Sequence, residues 1–530
     1  MGRHRYPRQP MLRLEQPRRK RAHQVHTALL LAVLSALIPG SGHLVLGRRI
    51  GYLILTAFLP LISTAGLVAY AVPRDKLLEY ALSAHVLGYA IGALPVIGLL
   101  WLLVIIRTYI LAAPRRVAAG QRLAGGFLVT MLAAATLTPF GYAAYTANTQ
   151  RNLLNTLFPG VSGSEQSTGD AIHKPRVNLL LIGSDAGPGR VGTRTDTMMV
   201  ASIDTTTGRT TLFSLPRNLR KAQFPAGSKL AEWFPDGFTD PRKPGSPEYM
   251  LNALYTYGND HPDLAPPKPS KIAGLNVLAA SIATMLGLQL DYYIQVNMAG
   301  FTSIIDALGG LDVNVGPQPV PIGGIGVHGE AVKPFGYIPA GHQHLTGNQA
   351  LWYARSRTNA DDYSRMGRQR CLLKYIVDQK SPLDVLSNFQ AVATATSSNV
   401  ITNIPQDALP TLVQLAMKAK NQPLESISFD PRLPDPNRQD GWFNTAHPDF
   451  SYMRQVVQNT INPPPAPAAA PRPNRTMAIG TTDSPRPTRS PGATSGQPAN
   501  TTDRGQETSP DASGSAPPTS LDAACYPGQE

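Results

Sequence analysis

Apolar residues crowd positions 27–146 so densely that hydrocarbon, rather than a protein core, is the surrounding they fit. The stretches 51–72, 81–106 and 123–147 are each long enough to cross about 30 Å of hydrocarbon as helices. Lipid offers no partner for backbone amides, so such runs must be helical. The stretch 26–45 differs, because Pro39-Gly40-Ser41-Gly42 interrupts it after about a dozen mostly apolar residues, short for a span. Arg18 to Arg21 precede it and Arg48-Arg49 follow it, which keeps both ends in the cytoplasm and makes the segment re-entrant or interfacial. The later loops agree: Arg74, Asp75, Lys76 and Glu79 balance, whereas Arg107, Arg115, Arg116 and Arg122 form a positive cluster. Three crossings from an inside N-terminus place everything after residue 147 outside the membrane; a fourth would place it inside.

The chain is basic, +14 over 530 residues, and a basic balance raises nucleic acid as a partner. Half of that surplus is local, since residues 1–26 carry seven arginines and Lys20 against Glu15 alone. A basic arm directly before membrane segments is an inner-leaflet anchor and topology signal, so the expected partner is the membrane and not nucleic acid. The two cysteines, Cys371 in a predicted helix and Cys525 in the tail, offer neither a zinc motif nor a disulfide framework. Cys371 reads as a small core residue, and the exported part is expected to fold without covalent staples.

Chemistry concentrates in 178–219, which reads NLLLIGSDAGPGRVGTRTDTMMVASIDTTTGRTTLFSLPRNL. Residues 197–203 and 210–215 are β-branched and apolar runs, and 204–209 between them carries Thr, Gly and charge, as a hairpin requires. Pairing symmetric about that turn opposes residues whose numbers sum to about 413, which sets Asp196 against Arg217 at the open end. A slip by one residue would turn Asp196 to the other face. The run 177–183 is almost continuously apolar, like a strand buried on both faces, and Asp185 follows at its C-terminal edge. Ligands of open α/β sheets gather at such edges.

Downstream, 271–287 reads as a helix, 288–296 as a strand, 298–308 as a helix and 311–315 as a strand, an alternation that argues for an α/β sandwich. Residues 235–243 and 262–268 read as loop. Asp361 or Asp362 caps a predicted helix running to about Gln379, with Met366, Leu373, Ile376 and Val377 as its buried stripe. Arg365, Arg368 and Gln369 stand at i, i+3 and i+4 and share one face. Cations in a first turn oppose the helix dipole, so an anion is needed there. Either Asp361 and Asp362 supply it, or a phosphate does, held by the helix terminus and the guanidinium forks. Arg355 and Arg357 just upstream add two cations and favour phosphate.

NLLLIGSD with RTDTMM, SLPRNL, IDALGGLDV, and LTGNQALWYARSR followed by DDYSRMGRQR stand in one order over residues 178–381. In these motifs the chain closely resembles the LytR-CpsA-Psr (LCP) family of cell-wall enzymes. The resemblance implies a transferase that takes a glycopolymer from a polyprenyl-pyrophosphate carrier and joins it to peptidoglycan through a phosphodiester. Carried over to this chain, it implies that Asp185 and Asp196 hold Mg²⁺ (or Mn²⁺) against the pyrophosphate. Arg194, Arg217, Arg355 and Arg357 resemble the phosphate clamps, and Arg365, Arg368 and Gln369 the arginine and glutamine set of the following helix. The family commonly has PRD where this chain has Pro216-Arg217-Asn218, so a charge or base at the third position is not carried over. Apolar walls for a polyprenyl chain would come from 272–286 and 298–308, although such helices more often form core.

Phosphoryl transfer needs dispersed negative charge neutralised and the acceptor held in line, which metal and arginines accomplish without a strong base. Either Asp196 or Asp185 could assist deprotonation of a sugar hydroxyl. From about residue 461 the chain turns to Pro, Ala, Ser, Thr and Gly, the composition of a disordered tail. The expected organisation is a basic cytoplasmic arm (1–26), a helical membrane region (27–147), a linker (148–174), an extracytoplasmic α-β-α sandwich around a mixed sheet (175–460) and that tail (461–530). The expected location is a bacterial cell membrane, entered several times, with the catalytic domain outside. The rival is a non-catalytic envelope protein that binds polyprenyl phosphate or anionic polymer and regulates assembly.

Overall fold

The computed structural model describes residues 19–73, 80–114, 118–157, 174–185, 193–325, 330–358, 360–381, 399–463 and 518–526. The amino-terminal part is helical throughout: α1 (Arg19–Leu37), α2 (Ser41–Val45), α3 (Ile50–Ala71), α4 (Ala84–Ala112) and α5 (Ala119–Leu157). Three stretches, Ile50–Val68, His85–Ala112 and Ala119–Asn152, are long and apolar enough to cross a membrane, and they coincide with the three stretches singled out above. The apolar part of the first helix, Val25–Leu37, is shorter. Gly40 adopts a left-handed φ of 92° after Pro39, and α1 is folded back there into α2. The polar contacts of that bend are internal, with Thr108 Oγ1 within 3.0 Å of both Ser35 Oγ and His43 Nδ1.

A linker beginning at 148 is not what forms. Helix α5 continues to Leu157, and at 39 residues it is about 58 Å long, well beyond the thickness of hydrocarbon. Its last turns dock instead of dangling, since Leu154 is fully buried in a cluster with Val177, Tyr292, Leu409 and Leu415. Residues 158–173 lie outside the described residues.

The large domain is built on a seven-stranded mixed sheet. Its strands are β1 (Arg176–Ser184), β2 (Thr195–Asp204), β3 (Thr210–Leu215), β4 (Tyr292–Asn297), β9 (Val400–Thr402), β10 (Leu424–Ser428) and β11 (Thr519–Ser520). They lie in the order β11-β10-β3-β2-β1-β4-β9, with β1 parallel to β4 and β3 parallel to β10. Between β4 and β9 the chain makes two small pairs, β5 (Leu311–Asn314) with β8 (His342–Leu345) and β6 (Val320–Ile325) with β7 (Ala331–Ile338).

Period-2 alternation sorts the sheet's side chains into two cores. Leu180, Ile182, Val200 and Phe213 face α6 (Ala273–Leu286) and α11 (Phe450–Ile461). Leu179, Leu181, Ala201 and Leu212 face the opposite layer, where α7 (Met298–Ala307), α8 (Gly347–Arg355) and α9 (Asp362–Gln379) pack; α10 (Leu409–Lys420) covers the margin near β1 and β4. The result is the expected α-β-α sandwich. Helix α6 is core on nearly every side, with Leu275, Val277, Leu278 and Ile282 fully buried. That is the core role such helices more often have. Residues 220–270, poor in periodic signal, hold together through an aromatic cluster in which Phe238 meets Phe234, Tyr249 and Tyr257 at 5.2–5.3 Å.

The expectation about the cysteines is overturned, and the one about the tail is corrected at its far end. Cys371 and Cys525 form a disulfide across 154 positions, so a staple exists after all. The end of the tail is ordered with it: β11 adds an antiparallel edge to β10, and α12 (Leu521–Cys525) buries Leu521 and Cys525 in the second core. Residues 464–517 lie outside the described residues. Leu521 and Cys525 lie about 140 residues past the last predicted helix, and a single apolar and a single sulfur anchor leave no periodicity to read.

Candidate functional site

The hairpin register is the one symmetric about its turn. Met198 pairs with Leu215, Val200 with Phe213 and Ile203 with Thr210, and continuing that ladder by two places sets Asp196 opposite Arg217. Arg217 Nη1 lies 3.1 Å from Asp196 Oδ1. A bulge helps to aim the aspartate: β1 pairs Gly183 with Thr197 but Ser184 with Thr195, so Asp196 is the extra residue of the bulged strand. Beside it, Asp185 leaves the end of β1 and exchanges bonds with Arg194, accepting at Oδ1 from the Arg194 amide (2.8 Å) while its own amide donates to the Arg194 carbonyl (3.0 Å). Both carboxylates therefore stand at one sheet edge, with the exposed Arg194 side chain between them in sequence.

Helix α9 brings the second half of the site. Asp361 is its N-cap and accepts from the Ser364 amide at 2.7 Å. Burial raises the Asp361 pKa, but the two hydrogen bonds from Ser364 and the charge of Arg432 outweigh it and hold the carboxyl below its ordinary value. Asp362 turns inward and accepts from Arg217 Nε at 3.0 Å. Its other oxygen stands 3.9 Å from Arg365 Nη2 and 4.0 Å from Arg357 Nη1. The two candidate anions of the first turn are thus both in use, one as cap and one as ion-pair partner.

Arg365 is 2% exposed, donates from Nη2 to the Asp196 carbonyl at 3.3 Å, and has Nη1 3.9 Å from the Asp196 carboxylate. Among the described residues, its Nε and Asp362 Oδ1 are buried without a hydrogen-bond partner. Burial pushes the Arg365 pKa down; Asp196 resists this and Arg217 adds to it. Arg217 goes the other way, because Asp196 and Asp362 outweigh its burial and raise its pKa. A buried guanidinium with idle donors is costly, and an anion brought to this place would relieve it.

Arg355 ends α8, lies 4.8 Å from the Trp352 ring centroid, and points Nη1 at Met298 Sδ (3.2 Å), where α7 begins. The helix α7 therefore starts against Arg355 and is less embedded than α6. Arg357 is half-exposed beside Asp362. Arg368 and Gln369 share a face with Arg365, as their spacing predicts, but their donors go elsewhere. Arg368 Nε donates to Tyr353 O (2.8 Å) and its Nη2 to Ser356 O, while Gln369 Nε2 donates to Ala354 O (3.2 Å). The buried stripe of α9 also shifts: Met366 is buried as expected, but Leu372 and Tyr375 are the fully covered residues, with Leu373 and Ile376 at the margin. Asn218 donates weakly to Tyr363 Oη (3.4 Å), a tyrosine that sequence reasoning did not single out.

Among the described residues no group of three or more His, Cys, Asp or Glu is arranged to hold a metal ion. Mg²⁺ needs no such cage, since it keeps several waters and is bound by one or two carboxylates together with substrate phosphates. Asp185 and Asp196 are hard oxygen donors at one edge, and that donor set fits the ion. With Asp185, Asp196 and Asp362 set against Arg194, Arg217, Arg355, Arg357 and Arg365, the site has an excess of guanidinium charge. Chemically it can receive a phosphorylated ligand and neutralise charge that develops on it.

Residues 147–453 match the LytR_cpsA_psr family. Over 320 residues the chain is 27% identical to the polyisoprenyl-teichoic acid–peptidoglycan teichoic acid transferase TagU of Enterococcus faecalis, covering 58% of this chain and 88% of that protein. It is 28% identical over 235 residues to the protein of the same name from Bacillus mycoides, spanning 44% of this chain and 62% of that relative. The crystal structure of B. subtilis TagV aligns with 54% of this chain and 97% of its own at 24% identity, with a TM-score of 0.37.

Proposed function

The chain belongs to the LytR-CpsA-Psr family, and from that premise we propose that its large domain transfers a glycopolymer from a polyprenyl-pyrophosphate carrier to peptidoglycan, forming a phosphodiester. The observation that carries this reading is Arg365, a buried guanidinium with an idle donor, set beside Arg217 and Arg357 around Asp196 and Asp362. The names of the relatives, teichoic acid transferases, support the same class of substrate and acceptor.

On this reading Arg194, Arg217, Arg355, Arg357 and Arg365 bind and orient the diphosphate and neutralise charge developing on its oxygens. Asp185 and Asp196 would hold Mg²⁺ (or Mn²⁺), which when bound would add further charge neutralisation. Asp196 has a second task, keeping Arg217 and Arg365 in place through its carboxylate. The apolar carrier chain would lie along α7, which begins against Arg355.

The basic residues flanking the spans favour a domain outside the membrane, and the disulfide supports it, because such bonds persist in oxidising compartments. The test uses the full chain in detergent micelles with Mg²⁺ and a polyprenyl-diphosphate-linked saccharide. Transfer to peptidoglycan, or phosphate release, that disappears in Asp196→Ala supports the enzyme. Tight binding of the lipid by the wild type with no turnover would assign it instead to a binding and regulatory role.

A further inference from the structure

A helix end leaves its last carbonyls without intrahelical partners, and α8 ends where Arg355 and Arg357 must be placed. Three of those carbonyls, at Tyr353, Ala354 and Ser356, are taken by Arg368 and Gln369 from the second turn of α9. Ser356 is further pinned from the other side, with its hydroxyl donating to Pro321 O at 2.7 Å and its amide to Trp352 O at 2.9 Å. Thr358 is tied to the same hairpin through Gly323 O at 2.8 Å. The loop that carries the two arginines is thereby gripped between α9 and the β6–β7 pair.

Helix α9 thus divides its labour by turn. Its first turn, through Asp362 and Arg365, addresses Arg217, Arg357 and Asp196. Its second turn, through Arg368 and Gln369, addresses the end of α8. A guanidinium at a helix C-terminus is also matched to the negative end of the dipole, so Arg368 is stabilised there without substrate.

We infer that Arg368 is a positioning residue rather than a ligand of the substrate phosphates: together with Gln369 it fixes the α8 terminus and so the placement of Arg355 and Arg357. The kinetic part of this rests on the function proposed above; the structural part does not. Arg368 bridges two carbonyls with one planar fork, which a lysine ammonium cannot reproduce in full.

The test compares the full chain in detergent micelles with Arg368→Gln, Arg368→Lys and Gln369→Leu, reading both hydrogen exchange and turnover of a polyprenyl-diphosphate-linked saccharide. Arg368→Gln is expected to speed amide exchange at 355–358 by about tenfold or more, the loss of charge-assisted hydrogen bonds. It is expected to lower kcat by about a hundredfold through misplaced arginines, with little change in KM. Arg368→Lys recovers part of both effects. In an Arg355→Gln/Arg357→Gln background, adding Arg368→Gln costs little further turnover. Unchanged exchange, or a full multiplicative loss in that background, would overturn the inference, and the second result would make Arg368 a direct phosphate ligand. If the wild type turns over no donor, the proposed function fails, and the exchange measurement still decides the role of Arg368. Should Arg368→Gln not fold, Arg368→Lys and Gln369→Leu carry the same comparison.

Discussion

Arg217 Nε donates to Asp362 Oδ2 at 3.0 Å, tying the open end of a hairpin to the first turn of a helix 145 residues further along the chain. The same guanidinium reaches Asp196 with Nη1, so one arginine sits between two carboxylates, and Arg365 lies beside both. Charges alternate through the site. Removing any one of them costs its neighbours one of their partners, which makes the arrangement of the cluster sensitive to single substitutions.

Asp196→Asn keeps the shape and removes the charge. The Asp196–Arg217 pair is partly exposed, so its loss should cost only about 1 kcal/mol of stability. Turnover should fall by about a hundredfold or more, because Arg217 and Arg365 lose the group that orients them. Thermal unfolding and a donor-turnover assay on one preparation separate the two; a large fall in melting temperature with intact turnover would contradict it.

Arg365→Met tests whether the buried cation is there for stability. Removing one member of a buried ion pair costs about 3–5 kcal/mol when it strands its partner, but Arg217 still pairs with both Asp196 and Asp362, and the buried guanidinium itself carries a desolvation cost. The variant is expected to melt at the same or a higher temperature and to lose turnover. Destabilisation by several kcal/mol, seen in denaturant titration, would make Arg365 a structural ion-pair member first.

The Cys371–Cys525 bridge closes a long loop, and removing such a cross-link typically costs about 2–4 kcal/mol. Cys371→Ser with Cys525→Ser, or treatment with a reductant, should lower the unfolding temperature by a comparable amount in each case. Peptide mapping without reduction should recover the two cysteine peptides as one linked species. Lys374 between Asp378 (2.6 Å) and Asp522 (2.8 Å) should keep part of the segment docked after reduction.

Asp361 gives a pH signature. Its folded pKa is depressed, so its contribution is present above the unfolded value and is lost as pH falls through the folded one. Asp361→Ala should cost about 1 kcal/mol at neutral pH, as the loss of an N-cap does, and the gap from wild type should close as the solution is acidified below the ordinary aspartate range. Asp361→Asn should retain most of the cap and show no such closure. Parallel stability curves for wild type and Asp361→Ala down to strong acid would refute the assignment.

Several features were legible in the residues alone. The three apolar stretches, the hairpin register that opposes Asp196 and Arg217, and a helix cap at Asp361 or Asp362 all follow from patterns within a few residues of each other, and the structure selects Asp361. A two-residue period, a Thr-rich and Gly-rich turn and a capping aspartate are backbone properties, and the backbone responds to its neighbours. The arginine-rich face of α9 was equally visible from its spacing.

What that face meets was not. Arg368 and Gln369 share the spacing of Arg365, yet only the docking of α8 decides that they bind carbonyls and not the site beside Asp196. The bulge that singles out Asp196 depends on the neighbouring strand, and Leu372 rather than Leu373 is covered because of the angle at which α9 lies on the second core. The return of Cys525 to Cys371 is the extreme case, a contact across 154 positions with no local signature at either end. The sequence by itself determined the long apolar helices, the hairpin and the kinds of charge available to a site. Tertiary structure decided which of those charges share one site, because juxtaposition of distant segments is set by how the whole chain packs, and packing leaves no trace in the spacing of any one segment.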